Sequence, residues 1–283
     1  MIRVATRRSA QASTQAQIVA EQIQQRTGRD VELVYIDTLG DQRQDVPLHS
    51  IGGLGVFVKE VQSAVLDGRA DVAVHSAKDL PTAEVDGLTI AAFCPRRDPR
   101  DSLVGATLDQ LVHGATLATG SVRRRAQIAQ LRPDLVFTEL RGNIHTRLSK
   151  VPAGGAIMVA VAALQILDLT GVIAEVLEVD QCVPSPGQGC VAVECRTVDD
   201  DVRAVLAQID DPSARRNVEV ERAFLGSFGT GCSLPIGAHA AGNRLDVFVG
   251  GDVVQRATIT LRNDHRAAVR QAVELAGQLA QQT

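Results

Sequence analysis

Hydroxyl residues and arginines are grouped in one short segment of this 283-residue sequence, residues 119–125 (TGSVRRR). The segment contains Thr119, Ser121, Arg123 and Arg124. If a helix begins there, its free N–H groups, the Ser121 hydroxyl and two guanidinium groups could converge on a carboxylate or a phosphate. The segment is therefore a candidate anion-binding site.

Two further segments share this chemistry. Residues 140–148 (LRGNIHTRL) add Arg141 and Arg147, and the stretch from 123 to 150 holds seven Lys or Arg against two Asp or Glu. Arg7 and Ser9 form the third feature, at the first predicted strand-to-helix turn. Arginine clusters are also common on solvated helix faces, and nucleic acid is a competing ligand. Interleaved aromatic residues are missing and the net charge is −4, so a small polycarboxylate fits better than nucleic acid.

Residues 74–81 (VHSAKDLP) come directly after an apolar strand-like run. Lys78 and Asp79 would then lie on a loop at the carboxyl end of a strand, where α/β proteins place their sites. An ionised Asp79 could stabilise a developing cation or accept a hydrogen bond from an N–H group. The alternative is a surface ion pair. His75 is predicted to be a packed strand-end histidine.

Cys232 lies in a loop rich in glycine, residues 229–237 (GTGCSLPIG). A lone cysteine is more often a small buried apolar residue, although such a loop can keep a thiol accessible. Spacing alone gives Cys232 no role. The five cysteines form no CxxC pair, and no secretion signal is visible, which predicts reduced thiols and a cytoplasmic protein. The histidines show no metal-ligand spacing, so no metal site is expected.

The elements that position these residues alternate between strands and helices. Residues 2–6 and 31–36 are predicted strands on either side of a helix over 11–26, and residues 71–75 form a strand after a second helix. Residues 136–139 and 157–161 repeat the pattern. The chain is 45% hydrophobic but only 2% aromatic, which favours aliphatic strands layered between helices. The predicted class is α/β with parallel-dominated sheets.

Two stretches rich in proline are predicted to cross between lobes, residues 94–101 and 183–189. The strand that follows the second crossing, residues 190–194, could return to the first sheet. A third segment begins near residue 211 with a helix, continues with short strands, and ends in a helix from Arg266. Two α/β lobes of this kind usually bind ligands in the crevice at the carboxyl ends of their strands.

These segments together resemble the porphobilinogen deaminase (hydroxymethylbilane synthase) family. The matching pieces occur in the family's order along nearly the whole chain: ATRRS (5–9), GVFVKE (55–60), VHSAKDLP (74–81), DPRD (98–101), SVRR (121–124), LRGN (140–143), TRL (146–148), PGQG (186–189), VECR (193–196) and GCSLPIG (231–237). Each piece is weak by itself, whereas the ordered set is highly specific.

The resemblance implies two lobes like those of periplasmic binding proteins and a smaller α+β domain. The first domain would comprise 1–94 with 189–208, the second 98–183, and the third 212–283. It also implies a dipyrromethane cofactor joined by a thioether to Cys232. The enzyme would remove ammonia from porphobilinogen, giving a methylene-pyrrole cation that the growing chain attacks. Four condensations and a hydrolysis would release hydroxymethylbilane.

The resemblance also assigns roles to residues. Asp79 matches the family's catalytic aspartate. Positions that hold acetate and propionate side chains are matched by Arg7, Ser9, Lys78, Thr119, Ser121, Arg123, Arg124, Arg141 and Arg147. Gln188 and Phe57 match the crevice wall. Ile166 stands where the family usually has an arginine, which puts substrate affinity or the later elongation steps in question.

We expect a cytoplasmic monomer acting on a small molecule, with neither nucleic acid nor a membrane as partner. A diverged, non-catalytic relative that binds an anionic ligand between two lobes is the alternative, because a fold does not fix a function.

Overall fold

A computed structural model describes residues 1–38, 58–229 and 235–281 of the chain. The strands in these ranges are β1 (Ile2–Arg7), β2 (Val31–Ile36), β3 (Val72–Ser76), β4 (Leu88–Phe93), β5 (Asp101–Val104), β6 (Thr116–Ala118), β7 (Val136–Thr138), β8 (Ala156–Ala160), β9 (Ile173–Val176), β10 (Val191–Arg196), β11 (Ile236–Ala241), β12 (Arg244–Val249) and β13 (Gln255–Thr260). The helices are α1 (Ala10–Thr27), α2 (Lys59–Leu66), α3 (Val122–Leu131), α4 (Ile144–Leu148), α5 (Val161–Ile166), α6 (Asp200–Leu206), α7 (Pro212–Gly226) and α8 (His265–Ala280).

The chain divides into two compact units. The first contains Met1–Arg96 and Cys190–Val218, and the second contains Arg97–Gly189 and Glu219–Thr283. The break after Arg96 falls within a stretch that the sequence predicts as a crossing, and the break after Gly189 falls at the end of the other. The predicted division into three domains stays a prediction.

The sheet of the first unit has the strand order β2-β1-β3-β10-β4. β1 is parallel to both β2 and β3, whereas β10 is antiparallel to both β3 and β4. The predicted return of the strand after the second crossing to this sheet is confirmed. Its direction is opposite to that of its neighbours, so the sheet is mixed.

Local signals in the sequence fix the ends of α1. Ser9 has extended backbone and caps the first turn, which stops the helix from continuing into β1. Gly28 at the other end has φ 67°, and its N–H donates to the Gln24 carbonyl. This left-handed conformation suits glycine and ends the helix. Val19 and Ile23 face the sheet and are fully buried.

The second unit contains a sheet of order β7-β6-β8-β5-β9 and a three-stranded antiparallel sheet, β11-β12-β13. β6 is parallel to β7 and β8, while β5 is antiparallel to β8 and β9. Every residue of β8 is buried, as expected for a central strand covered on both faces. α8 packs its alanine and leucine face on the smaller sheet. The predicted fold class, parallel-dominated mixed α/β sheets plus a smaller α+β part, is confirmed.

Within the described ranges, no helix is both long and apolar enough to cross a membrane.

Candidate active site

Two predicted binding residues lie at the turn where β1 leads into α1. Arg7 ends the strand, and Ser9 caps the helix by accepting the backbone N–H of Ala12 on its Oγ at 3.3 Å. The Ser9 hydroxyl therefore satisfies one of the N–H groups that a helix leaves free at its start. Both side chains are partly buried at the carboxyl end of β1.

Lys78 and Asp79 follow β3 on a single turn of 3-10 helix, Ala77–Asp79. The Ala77 N–H donates to the carbonyl of Cys190 at 2.9 Å, which fixes the start of the turn against the first sheet. β1 and β3 are parallel neighbours, so their carboxyl ends meet at one edge of that sheet. The turn with Asp79 and the turn with Arg7 therefore lie at the same edge of the first sheet.

Polar contacts also hold the last residues of β3, directly before the Asp79 turn. Gln15 Nε2 of α1 lies 3.0 Å from the Oγ of Ser76, the last residue of β3, and so links the helix to the strand end. His75 is buried, as expected for a packed histidine. Its Nε2 lies 3.1 Å from Glu194 Oε2, and Gln62 Nε2 donates to the same oxygen at 2.9 Å. The base of the Asp79 turn is therefore built on a buried polar cluster.

In the second unit, the turn between β6 and α3 carries the predicted hydroxyl residues. Ser121 caps α3 by accepting the Arg124 N–H at 3.4 Å, and Thr119 Oγ1 accepts the Ser121 N–H at 3.2 Å. A Cβ atom on Gly120 would lie 2.9 Å from the carbonyl oxygen preceding Arg141 and 3.8 Å from the Arg141 Cδ. Glycine at position 120 therefore lets the segment with Arg141 pack against this turn.

Arg141 and Arg147 lie on either side of the cap of α4. Asn143 caps this short helix, and Arg147 Nε donates to the Gly142 carbonyl at 2.8 Å. Lys150 Nζ donates to the Arg141 carbonyl at 3.2 Å. Both arginines are partly buried. The structure thus places Arg141 beside the Thr119–Ser121 turn, where the sequence predicted an anion site.

Arg123 and Arg124 project into the second unit rather than onto a solvated helix face. They are only 5% and 6% exposed, and both bind the carboxylate of Asp101, which is completely buried. Arg123 Nη1 lies 2.8 Å from Asp101 Oδ2, and Arg124 Nη2 lies 2.7 Å from Oδ1. Arg123 also donates to the Val183 carbonyl at 2.6 Å, and Arg124 to that of Met158 at 2.9 Å.

Asp101 is the site residue that the sequence reasoning missed. Burial by itself would raise the pKa of its carboxyl, but the charges of Arg123 and Arg124 outweigh burial and hold that pKa well below the usual range. The carboxylate is therefore ionised throughout the physiological pH range and balances one of the two guanidinium charges. One net positive charge remains in the cluster. In the sequence, Asp101 ends the family-matching piece DPRD (98–101), which was given no role in the site.

Gln188 completes this cluster. Its Nε2 donates to Asp101 Oδ1 at 2.9 Å and to the Pro99 carbonyl at 2.7 Å. A Cβ atom at Gly189 would lie 2.6 Å from the Arg97 carbonyl oxygen, so glycine is required for this close passage of the backbone. Gln188, predicted to line a crevice wall, is thus joined to the same carboxylate as the two arginines.

Comparison with known proteins decides the family. The model of the dipyrromethane cofactor binding domain of porphobilinogen deaminase matches residues 2–204, and that of its C-terminal domain matches residues 216–282. The chain belongs to the porphobilinogen deaminase family. Proteins named porphobilinogen deaminase from Acidothermus cellulolyticus and Roseiflexus castenholzii are each 47% identical to it, over 247 and 244 residues. These alignments cover 84% of this chain and 74% and 80% of the two relatives.

Similarity to solved structures is weaker. The methionine binding protein MetQ gives a TM-score of 0.45 at 12% identity, covering 76% of this chain and 91% of MetQ. A periplasmic substrate-binding protein from Coxiella burnetii gives 0.45 at 16% identity, covering 76% and 94%.

Porphobilinogen deaminases, also termed hydroxymethylbilane synthases, are transferases of tetrapyrrole biosynthesis, and this chain is an enzyme of that class. The structure also places Ile166, the position at which the sequence analysis expects an arginine in the family. Ile166 ends α5 and is 7% exposed, among apolar neighbours of the same helix such as Leu164. The position is therefore occupied by a buried apolar side chain, which supplies no charge for a carboxylate.

Two predicted site residues, Phe57 and Cys232, lie outside the described residues. The roles predicted for these two residues and for the other matched positions stay predictions.

Proposed function

We propose that this chain joins four porphobilinogen molecules head to tail into hydroxymethylbilane with release of ammonia. The reaction would start from a dipyrromethane cofactor attached by a thioether to Cys232. The observation that carries the proposal is the match to both family domains, because together they span the Asp79 turn, the arginine segments and the Cys232 segment. Porphobilinogen, a small molecule, would be the partner of the site.

The residues present fit such a cofactor. Each pyrrole unit has two carboxylate side chains, so the site needs an excess of positive charge. The cluster of Arg123, Arg124 and Asp101 retains one net positive charge although it is buried, and the partly buried Arg141 and Arg147 add to it. Guanidinium groups bind carboxylates with paired, directional hydrogen bonds.

We assign the carboxylate side chains to the cationic and hydroxyl residues at the strand ends. In this assignment the binding residues are Arg7, Ser9, Lys78, Thr119, Ser121, Arg123, Arg124, Arg141 and Arg147, with Gln188 and Phe57 as wall residues. When bound, the cofactor supplies the free α-carbon that acts as nucleophile. In each condensation, porphobilinogen would lose ammonia as its aminomethyl C–N bond breaks, and a C–C bond would form in its place with loss of one proton, while the binding residues hold the carboxylates.

Asp79 is the proposed catalytic residue. Its carboxylate would accept hydrogen bonds from pyrrole N–H groups and stabilise the positive charge that develops as ammonia leaves. The turn that carries it is fixed by the Ala77–Cys190 hydrogen bond and by the buried strand beneath. A preorganised carboxylate of this kind can serve repeated condensations, because every step develops the same type of charge.

Intact-mass measurement of the purified chain tests the attachment. We expect a mass excess equal to one dipyrromethane on the parent, none on Cys232→Ser, and loss of product formation in that variant. Cys195→Ala, which alters a fully buried thiol, is the control and should keep both adduct and activity. An adduct that survives in Cys232→Ser would overturn the assignment.

We also propose that the enzyme acts in the cytoplasm as a monomer, without nucleic acid or a membrane as partner. The net charge of −4 supports the last part of this proposal, because a general binder of anionic polymers or lipids would carry the opposite sign.

A further inference from the structure

A buried carboxylate outside the groups described so far connects three segments of the second unit. Glu221 lies on α7, and its side chain is completely buried. Its Oε2 accepts the backbone N–H of Gly187 at 2.7 Å, and its Oε1 accepts that of Ala240, on β11, at 2.7 Å. His239 Nδ1 is 3.6 Å from Oε1, too far for a hydrogen bond.

The three segments all border the proposed site. In the sequence, α7 directly precedes the segment with Cys232, and β11 directly follows it. Gly187 is the neighbour of Gln188, whose side chain binds Asp101. Glu221 therefore lies on one flank of the proposed attachment segment, α7, and bonds to the other flank, β11, and to Gly187 beside Gln188.

A buried carboxylate at position 221 is unfavourable if its role is packing alone. It is favourable when its hydrogen bonds fix the direction of the groups that it binds. Burying an ionised group is costly, and an apolar side chain of similar volume is often as stabilising. In return, an ionised acceptor makes short and strong hydrogen bonds with defined directions. Both bonds of Glu221 have the length of such charge-assisted bonds.

Two other contacts join β11 to residues 183–184. The Ala238 N–H donates to the Pro184 carbonyl at 3.0 Å, and a Cβ atom at Gly237 would lie 2.8 Å from the Val183 carbonyl oxygen. β11 thus packs directly on residues 183–184. Glu221 adds the two bonds that fix how α7, β11 and Gly187 are aligned.

We infer that Glu221 is a positioning residue, which holds the flanks of Cys232 in register with Gln188 and the arginine cluster. This rests on the proposed function, in which Cys232 carries the cofactor. A cofactor that is anchored at one end and bound through its carboxylates along its length requires a fixed offset between anchor and arginines. Small misplacements of reacting groups reduce turnover sharply, by about 100-fold for 1 Å.

The test compares Glu221→Gln with Glu219→Gln. The glutamine at 221 has one accepting oxygen and one NH₂ group, so one of the two backbone N–H groups loses its acceptor. Glu219 lies two residues away on the same helix and is bonded to His265 at 2.7 Å, partly exposed, which makes it a matched control. Intact mass, kcat, KM and amide hydrogen exchange would be measured for each purified protein.

For Glu221→Gln we expect the cofactor adduct to be retained and kcat to fall about tenfold or more, with KM within about threefold of the parent. The amide protons of Gly187 or Ala240 should exchange at least about tenfold faster, whereas Glu219→Gln should match the parent in every readout. A residue that only stabilises the fold would leave kcat unchanged at a temperature well below melting.

Unchanged kcat and exchange in a folded Glu221→Gln protein would overturn the inference while leaving the proposed function intact. If that variant does not fold, Glu221→Asp retains the charge on a side chain one methylene shorter. It should keep the adduct and lose kcat, and a parental kcat there would likewise refute the positioning role. A parent without any adduct would instead overturn the attachment at Cys232, and with it the role of Glu221.

Discussion

Replacing Asp101 with Asn would leave the two arginines of the buried cluster without a countercharge. The carboxylate is completely buried, and four hydrogen bonds reach it from Arg123, Arg124 and Gln188. Asparagine has nearly the same shape, so the change mainly removes charge. The net charge of the cluster rises from one to two positive charges, and one amide NH₂ faces a guanidinium donor.

Removing one partner of a buried ion pair destabilises proteins by about 3–5 kcal/mol, because the remaining charge stays buried. For a chain of this size each kcal/mol lowers the melting temperature by roughly 2–4 °C, so the expected loss is roughly 6–20 °C. Arg123→Met should cost less, since it leaves Arg124 and Asp101 as a balanced pair. The same variant should impair cofactor loading more than its stability loss suggests.

These losses would be measured by thermal and urea unfolding, with far-UV circular dichroism as the signal. The chain has no tryptophan, so tryptophan fluorescence cannot report unfolding. The pKa of Asp101 is lowered in the folded protein, so its contribution is fully present above the ordinary aspartate pKa of about 4. It is lost as the pH falls through the lower pKa of the folded state. The difference between parent and Asp101→Asn should therefore be constant from pH 8 to 5 and shrink in stronger acid.

Asp134→Asn is the matched control in the same unit. Asp134 binds Arg132 at 2.7 Å, but both side chains keep contact with water. Its loss should therefore be much smaller. If Asp101→Asn were no more destabilising than Asp134→Asn, the buried ion cluster would not stabilise the fold as its geometry indicates.

Three further outcomes are expected. Asp79→Asn should keep fold and adduct but lose about 3–4 kcal/mol of transition-state stabilisation, seen as a fall in kcat of two to three orders of magnitude; a parental kcat would make Asp79 a surface ion-pair partner. Ile166→Arg should lower KM for porphobilinogen or shift the intermediates seen by mass spectrometry by about tenfold, and unchanged values would remove any mechanistic weight from that position. Burial raises the pKa of Cys182 to about 12 and that of Cys195 to about 11, so iodoacetamide at pH 8 should spare both thiols until the protein is unfolded, as peptide mass mapping would report.

Much of the fold followed from local patterns. The helix predicted over residues 11–26 is α1 within one residue at each end, because capping chemistry acts over a few residues. The apolar run of β3, followed by Lys78 and Asp79, predicted a strand end at the edge where α/β proteins place their sites. The antiparallel direction of β10 could not be predicted from the sequence. It depends on the path of the chain after the second crossing, and no local pattern encodes that path.

The sequence indicated candidate site residues but not the partners that hold them. The arginines of residues 119–125 were predicted to form an anion site, with a solvated helix face as the alternative. The structure corresponds to neither picture alone, because Arg123 and Arg124 are buried and bind a carboxylate. Asp101 lies 22 residues before Arg123, at the start of β5, whereas Arg123 lies on α3. Only the pairing of β5 with β8, which sets Asp101 opposite Ala160, brings it beneath α3.

The ion pairs of Arg123 and Arg124 with Asp101 change the net charge that the site can offer to a ligand. Two guanidinium groups held by one carboxylate keep their orientation without a ligand, so binding a cofactor carboxylate would not require them to be ordered first. The charge available to that carboxylate is one unit rather than two. A sequence scan counts arginines but not the buried aspartate that balances one of them. We therefore expect the affinity of the site to depend on Asp101 as well as on the arginines, although the charge of Asp101 itself would repel the ligand.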